Sequence, residues 1–345
     1  MHPPVKPVRR EPAPGVFRLI LPLPFPGLTK VNAYALAGDN ELTLVDCGIF
    51  EPLPDRDESW QHLVGALDAC ELHAYDITRL VITHPHIDHY GLAGRVVEET
   101  GCVLYMHERS DSEIDAYGDP DAAVSRVRSM LQDHGVDPQD IDELSAFEDW
   151  RSYLTQAISP AVRVKDGDDL EVGGRSWKIV YTPGHSPSHI CLWAENERLL
   201  ISGDHLLGAI TPHVDFRREA DDDPLGEYLD ALVKIEHLNP KIVLPGHGRP
   251  FEEGAARARA VARHHDRRLG SIVQVIRHEA HTASEISDEI FGTTLLNFGR
   301  RLALGETLAH LAYLRARGEV ARDVSSEGAY VYKKAKRRPS SSDEE

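Results

Sequence analysis

The chain has 345 residues, 41% of them hydrophobic and 27% charged, with a formal net charge of −18. This length supports one large domain and a second unit, and the composition excludes fibrous and low-complexity classes. No apolar run approaches the roughly 20 residues that span a bilayer, so no membrane partner is expected.

The opening "MHPPVKPVRREPAPG" lacks the apolar core of a signal peptide and predicts a Pro-rich lead-in over residues 1–14. The four cysteines, Cys47, Cys70, Cys102 and Cys191, form no CxxC pair. Disulfides are therefore not expected, and the expected compartment is the cytoplasm. "GVFRLILPL", "VNAYALAGD" and "ELTLVDCG" predict strands, the last two joined by the turn "AGDNE". Residues 59–72 predict an amphipathic helix, "ITRLVITH" a buried strand, "GLAGRVVEETG" a helix closed by Gly101, and "CVLYMHE" another strand.

Residues 108–160 are acidic and helically spaced, so they predict a helical insertion. Its Met130, Leu131, Phe147, Trp150 and Leu154 suit either a lid or the insertion's own small core. Strand patterns return from residue 162, followed by a helix near 224–238 and the strand "KIVLPGHG". The pattern turns helical from about residue 255 and closes on the hairpin-like "ARDVSSEGAYVYKK". The expected organisation is a layered α/β domain over 15–255, a second domain over 256–335 and a tail over 336–345. Charge divides with it: residues 1–256 carry −22, residues 257–338 carry +7, and the last seven carry −3.

The chemistry concentrates in "THPHIDHYG", where His84, His86, Asp88 and His89 fall within six positions after an apolar strand. Imidazoles and a carboxylate suit a borderline divalent cation such as zinc. Without a cation, each of these polar groups would need its own hydrogen-bond partner. "TPGHSPSH" sets His185, "LLISGDHLL" sets Asp204 and "IVLPGHG" sets His247. Each follows an apolar strand beside a Gly or Pro, as expected of loops that converge at one edge of a rigid sheet.

With these motifs the sequence resembles the metallo-β-lactamase superfamily, through the His-x-His-x-Asp-His run, the later His, Asp and His in family order, and Asp46 in "TLVDCG". The resemblance covers roughly residues 15–255 and implies an αββα sandwich. It implies that His84, His86 and His185 hold one metal, that Asp88, His89 and His247 hold another, and that Asp204 bridges them. It also implies that Asp46 orients the loop. Two zinc ions are expected, with iron or manganese as alternatives. The implied reaction is hydrolysis by a hydroxide shared between the metals, with Asp88 orienting it and passing a proton.

His185 to Asp204 is 19 residues and Asp204 to His247 is 43, which leaves no room for the inserted domain of the β-CASP-type nucleases. The −22 body would also repel a phosphate backbone. A small ester, thioester or lactone is the expected substrate, as in glyoxalase II and acyl-homoserine lactonase relatives. Residues 257–335 resemble the winged-helix extension of the β-lactamase-like protein 2 branch, through "HTASEISDEIF", "ALGETLAHLAYLRARGEV" and the terminal hairpin. Some relatives on that branch cleave RNA, so an endoribonuclease acting on single-stranded RNA is the alternative. The basic surface suits nucleic acid, but docking on the acidic body or a homodimer contact is the favoured reading. His213 in "AITPHVDF" is expected to approach the substrate, Tyr90 and His205 to pack, and His264 and His265 to lie on a solvated helix face.

Overall fold

Strand and helix formation follow the hydrophobic pattern in the computed structural model, which describes residues 11–25, 27–38, 41–51, 58–146, 150–172, 174–216 and 223–335. Most of the predicted lead-in, the predicted tail and Phe147 lie outside these residues. The order begins β1 (Val16–Phe25), β2 (Leu28–Ala37), β3 (Leu42–Val45), α1 (Glu58–Asp68), β4 (Ile77–Val81), α2 (Ile87–Tyr90), α3 (Ala93–Thr100) and β5 (Val103–His107). It continues α4 (Asp111–Gly118), α5 (Pro120–Asp133), α6 (Pro138–Ala146), β6 (Val162–Val164), β7 (Asp169–Val172), β8 (Arg175–Tyr181), β9 (Ile190–Ala194) and β10 (Leu199–Gly203). It ends α7 (Pro224–Leu238), β11 (Ile242–Pro245), β12 (Phe251–Glu252), α8 (Gly254–Val275), β13 (His281–Thr282), α9 (Ala283–Phe291), α10 (Asn297–Ala316), β14 (Val320–Val324) and β15 (Tyr330–Lys334).

Two compact units result, one from 1–121, 149–212 and 228–260, the other from 122–148, 213–227 and 261–345. In the first unit, one sheet runs β1-β2-β3-β4-β5-β6 and the other runs β12-β11-β10-β9-β8-β7. Val16, Tyr34, Val45 and Val81 from the first sheet pack with Trp177, Ile190, Leu192, Leu199 and Leu244 from the second to fill the space between them. The opposite face of the first sheet is covered by Trp60, Leu63 and Leu67 of α1 and Val96 of α3. This is the layered α/β sandwich expected from the sequence. β9 and β10 are buried at every position, which explains their unbroken apolar runs "ICLWA" and "LLISG".

Strand direction places the chemistry. β3 and β4 are parallel, as are β10 and β11. The loops leaving their C-terminal ends therefore emerge at a common edge within each sheet. Backbone bonds join the two sheets there: Asn32 N–H donates to Gly246 O at 2.7 Å, and Ile190 N–H donates to Thr83 O at 2.9 Å.

In the second unit, β13, β15 and β14 form a three-stranded sheet in that order. Thr282 caps α9 with a capping box, accepting from Glu285 N–H while the Glu285 side chain takes the Thr282 N–H. Residues 301–315 of α10 include none that is exposed. The expected insertion divides: Met130 and Leu131 are buried in the second unit, whereas Trp150 and Leu154 pack on the first unit's core. His265, expected on a solvated face, is fully buried; its ring faces His310 of α10, with Nδ1 3.1 Å from His310 Nε2. The Arg-rich stretch around it conceals one inward position in the helical repeat.

Candidate metal centre

Asp46 sits just past β3 with φ of 59°, a left-handed conformation that costs a non-glycine residue energy. It turns the carboxylate back under the next loop, where it accepts from Thr83 N–H at 2.8 Å, Thr83 Oγ1–H at 2.9 Å and His89 Nδ1–H at 2.7 Å. His89 is thereby held with Nε2 pointing away from Asp46. The same logic repeats at two other histidines. Nδ1 of His84 meets Thr83 Oγ1 at 3.0 Å, and Nδ1 of His247 donates to Lys30 O at 3.0 Å.

The inward atoms converge. His84, His86 and His185 form one group able to hold a metal ion, and Asp88, His89 and His247 form another. His84, His89 and Asp204 form a third that overlaps both. Asp204 reaches each side: Oδ2 lies 3.2 Å from His247 Nε2 and 3.8 Å from His185 Nε2, and Oδ1 lies 3.5 Å from His89 Nε2. Asp88 Oδ2 is 3.1 Å from His247 Nε2. Gly246 allows this approach, because a side chain there would overlap Asp204 and come within 2.7 Å of His89 Cε1.

The donor set fits divalent cations. His89 Nε2 and Asp204 Oδ1 are buried without a hydrogen-bond partner, a costly arrangement unless a cation takes their lone pairs. Burial, followed by the neighbouring His89, keeps His84 well below the usual imidazole range and hence neutral. Burial likewise holds His86 down, to about 3. Burial alone would raise Asp88, but His89 and His247 outweigh it and hold it at about 2. Burial would lower His89 and His247, yet Asp204 is the leading opposing influence and raises both, His247 to about 10. Cations would replace those protons as the countercharge for the carboxylates.

Sequence reasoning passes over two supports. His189, the second histidine of "TPGHSPSH", is buried, with Nδ1 2.8 Å from Thr182 Oγ1 and Nε2 accepting Asp204 N–H at 3.1 Å. Its four-residue spacing from His185 is the available signal. Glu113 on α4 falls within the expected insertion, yet it bonds the His185 loop directly. Tyr90 is a packing residue whose OH donates to Ile158 O at 2.7 Å, and His205 is buried with its backbone carbonyl taking the Tyr228 OH at 2.8 Å.

His213 belongs to a different cluster, in the second unit. It lies 3.8 Å from Asp215 and 3.9 Å from Glu306, with Arg301 bonding Asp215 at 3.3 Å and Arg268 bonding Glu306 at 3.1 Å. His265, Glu306 and His310 there also have ligand-like spacing. Glu306, however, is committed to Arg268 and His213, and His310 Nδ1 is spent on Glu306 O at 2.7 Å. That cluster is a neutralised polar network.

Residues 26–247 match the Metallo-beta-lactamase superfamily, and residues 269–335 match the Metallo-beta-lactamase-like, C-terminal domain. The chain belongs to the metallo-β-lactamase superfamily. Its fold superposes on a metallo-beta-lactamase family protein from Thermus thermophilus with a TM-score of 0.80 and 30% identity, covering 93% of this chain and 99% of that one. A Bacillus subtilis protein named "Probable metallo-hydrolase YqjP" is 28% identical over 94% of this chain and 98% of its own length. The "Beta-lactamase-like protein 2 homolog" of Caenorhabditis elegans is 26% identical over 76% of this chain and 72% of its own. The "Atrochrysone carboxyl ACP thioesterase" of Aspergillus fumigatus is 26% identical over 77% of this chain and 69% of its own. The protein is a metal-dependent hydrolase of this superfamily.

Proposed function

We propose that the protein is a dinuclear hydrolase of small acyl esters, thioesters or lactones. The observation that carries this reading is Asp204, whose two oxygens lie between one group of three histidines and another of two histidines and Asp88. In this reading His84, His86 and His185 would hold one ion, Asp88, His89 and His247 would hold a second, and Asp204 would serve both. The donors suit zinc, and iron or manganese would also be accepted. Bound divalent ions would acidify a water and polarise the substrate carbonyl.

The chain's own residues do the rest. Asp46 and Lys30 O fix the His89 and His247 rings. Asp88, at 14% side-chain exposure against 0% for His89 and 5% for His247, is the group of its triad open to substrate. Held as a carboxylate by His89 and His247, it can accept the attacking water's proton and pass it to the leaving group. A thioesterase among the relatives favours acyl over phosphodiester chemistry.

We read α8–β13–α9–α10–β14–β15 as a winged-helix unit. A nucleic-acid-reading unit of this kind needs an exposed face on its third helix; α10 exposes Phe298 in its first turn, but residues 301–315 offer no exposed residue. That weighs against the endoribonuclease reading and leaves a homodimer or docking role for the unit. Among the described residues, no helix is long and apolar enough to cross a membrane. Free thiols at all four cysteines suit a reducing compartment such as the cytoplasm. The test is a panel of acyl thioesters, lactones, β-lactams and single-stranded RNA on metal-loaded protein. Thioester or lactone turnover with inert RNA supports the reading, and RNA cleavage that weakens steeply with salt overturns it.

A further inference from the structure

We infer that α4 is a strut for the metal loops and that Glu113 is a positioning residue for the ion held by His84, His86 and His185. The inference rests on the dinuclear reading above. α4 follows β5, and its first turn carries Glu113. The Glu113 carboxylate accepts from Ser186 Oγ–H at 2.8 Å, from Ser188 N–H at 3.0 Å and from Ser188 Oγ–H. These donors are the two serines of "GHSPSH", one and three residues after His185. A carboxylate with this many donors makes charge-assisted bonds that resist loop opening.

One turn further along the same helix face, Tyr117 donates to Pro85 O at 2.6 Å. Pro85 lies between His84 and His86, and its missing N–H leaves its carbonyl as the handle on that turn. One face of α4 therefore grips both loops that supply the first histidine triad. The other triad has anchors that do not involve α4, Asp46 under His89 and Lys30 O under His247, with Asp46 also reaching His84 through Thr83. Glu113 belongs to none of the ligand-spaced groups, so it acts through the loop.

The two triads should thus respond differently to Glu113. Outer-shell partners of metal ligands typically change affinity by about 10–100-fold. Glu113→Gln keeps the size but replaces one acceptor oxygen with a donor, and Glu113→Asp keeps the charge on a shorter arm. The experiment combines stepwise ion release to a chromophoric chelator with amide hydrogen exchange on the metal-stripped full chain.

We expect Glu113→Gln to weaken one of two ions by about 10–100-fold, to leave the other at its wild-type affinity, and to speed exchange across 184–190. Glu113→Asp should recover part of both effects. Tyr117→Phe should speed exchange across 83–87. Ser186→Ala/Ser188→Ala should reproduce the Glu113→Gln loss without adding to it. Wild-type exchange across 184–190 in Glu113→Gln, or equal weakening of both ions, would overturn the inference. A single ion in the wild type would instead break the dinuclear reading, while the exchange result still decides the strut on its own.

Discussion

The metal edge of the first unit and the polar cluster of the second are built from the same residue types and behave in opposite ways. Around Asp46, Asp88 and Asp204, the ion-pair partners among the described residues are histidines, His89, His185 and His247. Around Asp215 and Glu306, Arg301 and Arg268 stand beside His213. Ligand spacing alone does not separate the two clusters, since both contain groups that could surround an ion. The charge balance does. Carboxylates whose charged neighbours are imidazoles, which a cation can deprotonate and bind, leave room for metal, whereas carboxylates already met by guanidinium groups do not.

The strongest way to break this comparison is to remove the shared carboxylate. Asp204→Ala should reduce turnover of a thioester or lactone by on the order of 10³-fold, since in the proposed centre both ions would lose a contact. Wild-type turnover in the variant would refute the role given to it. The matching change in the second cluster is Arg301→Ala. Arg301 is 5% exposed, and its removal leaves the 35%-exposed Asp215 with His213 as its ion-pair partner. We expect a loss of about 1–2 kcal/mol in denaturant unfolding of the second unit, with the thioester KM and the metal content of the folded protein unchanged. Metal loss in this variant would contradict the separation of the two clusters.

Much of the metal edge is legible in the sequence because each candidate ligand follows an apolar strand and adjoins a turn residue. β3, β4, β8, β10 and β11 end just before Asp46, His84, His185, Asp204 and His247 respectively. Strand periodicity and turn chemistry are local signals, and the sandwich follows from them. The rest depends on contacts distant in sequence. Glu113 and Ser186 are 73 positions apart, and His134 meets Tyr332 across 198. No periodicity connects such pairs, so 108–160 reads as one insertion although its residues serve two units. His213 reads as a site residue because "AITPHVDF" follows the Asp204 strand, yet Asp215 two positions later supplies a partner within the second unit. His265 is hidden by the charged residues around it in "RHHDRR".

A smaller change sharpens the chemistry at the metal edge. Asp88→Asn should lower kcat by about 10²-fold with little loss of folding stability, because the amide keeps the shape and loses the proton-accepting charge. Equal kcat at equal metal loading would show that another group moves the proton.

The smallest expected effect distinguishes the clusters by pH. Burial would lower His213, but Asp215 and Glu306 raise it to about 9. A raised histidine contributes stability that is fully present below about pH 6.5, its unfolded value, and is lost as pH rises toward 9. With the His213 side chain 24% exposed, the decline should be about 1–2 kcal/mol, and His213→Gln should flatten it. On the acid side, burial holds His265 at about 3 and His310 at about 4. Both protonate more readily unfolded, so stability should also fall as pH drops below about 6.5. A stability curve that keeps rising to pH 9 in the wild type would contradict the assignment of His213.

The central claim is that Asp204 joins two ion sites in one centre, and the direct test is the number of ions bound per chain. Elemental analysis after equilibrium dialysis should find two divalent ions per wild-type chain and at most one, weakly held, in Asp204→Ala. One ion in the wild type, or two in the variant, would contradict the account.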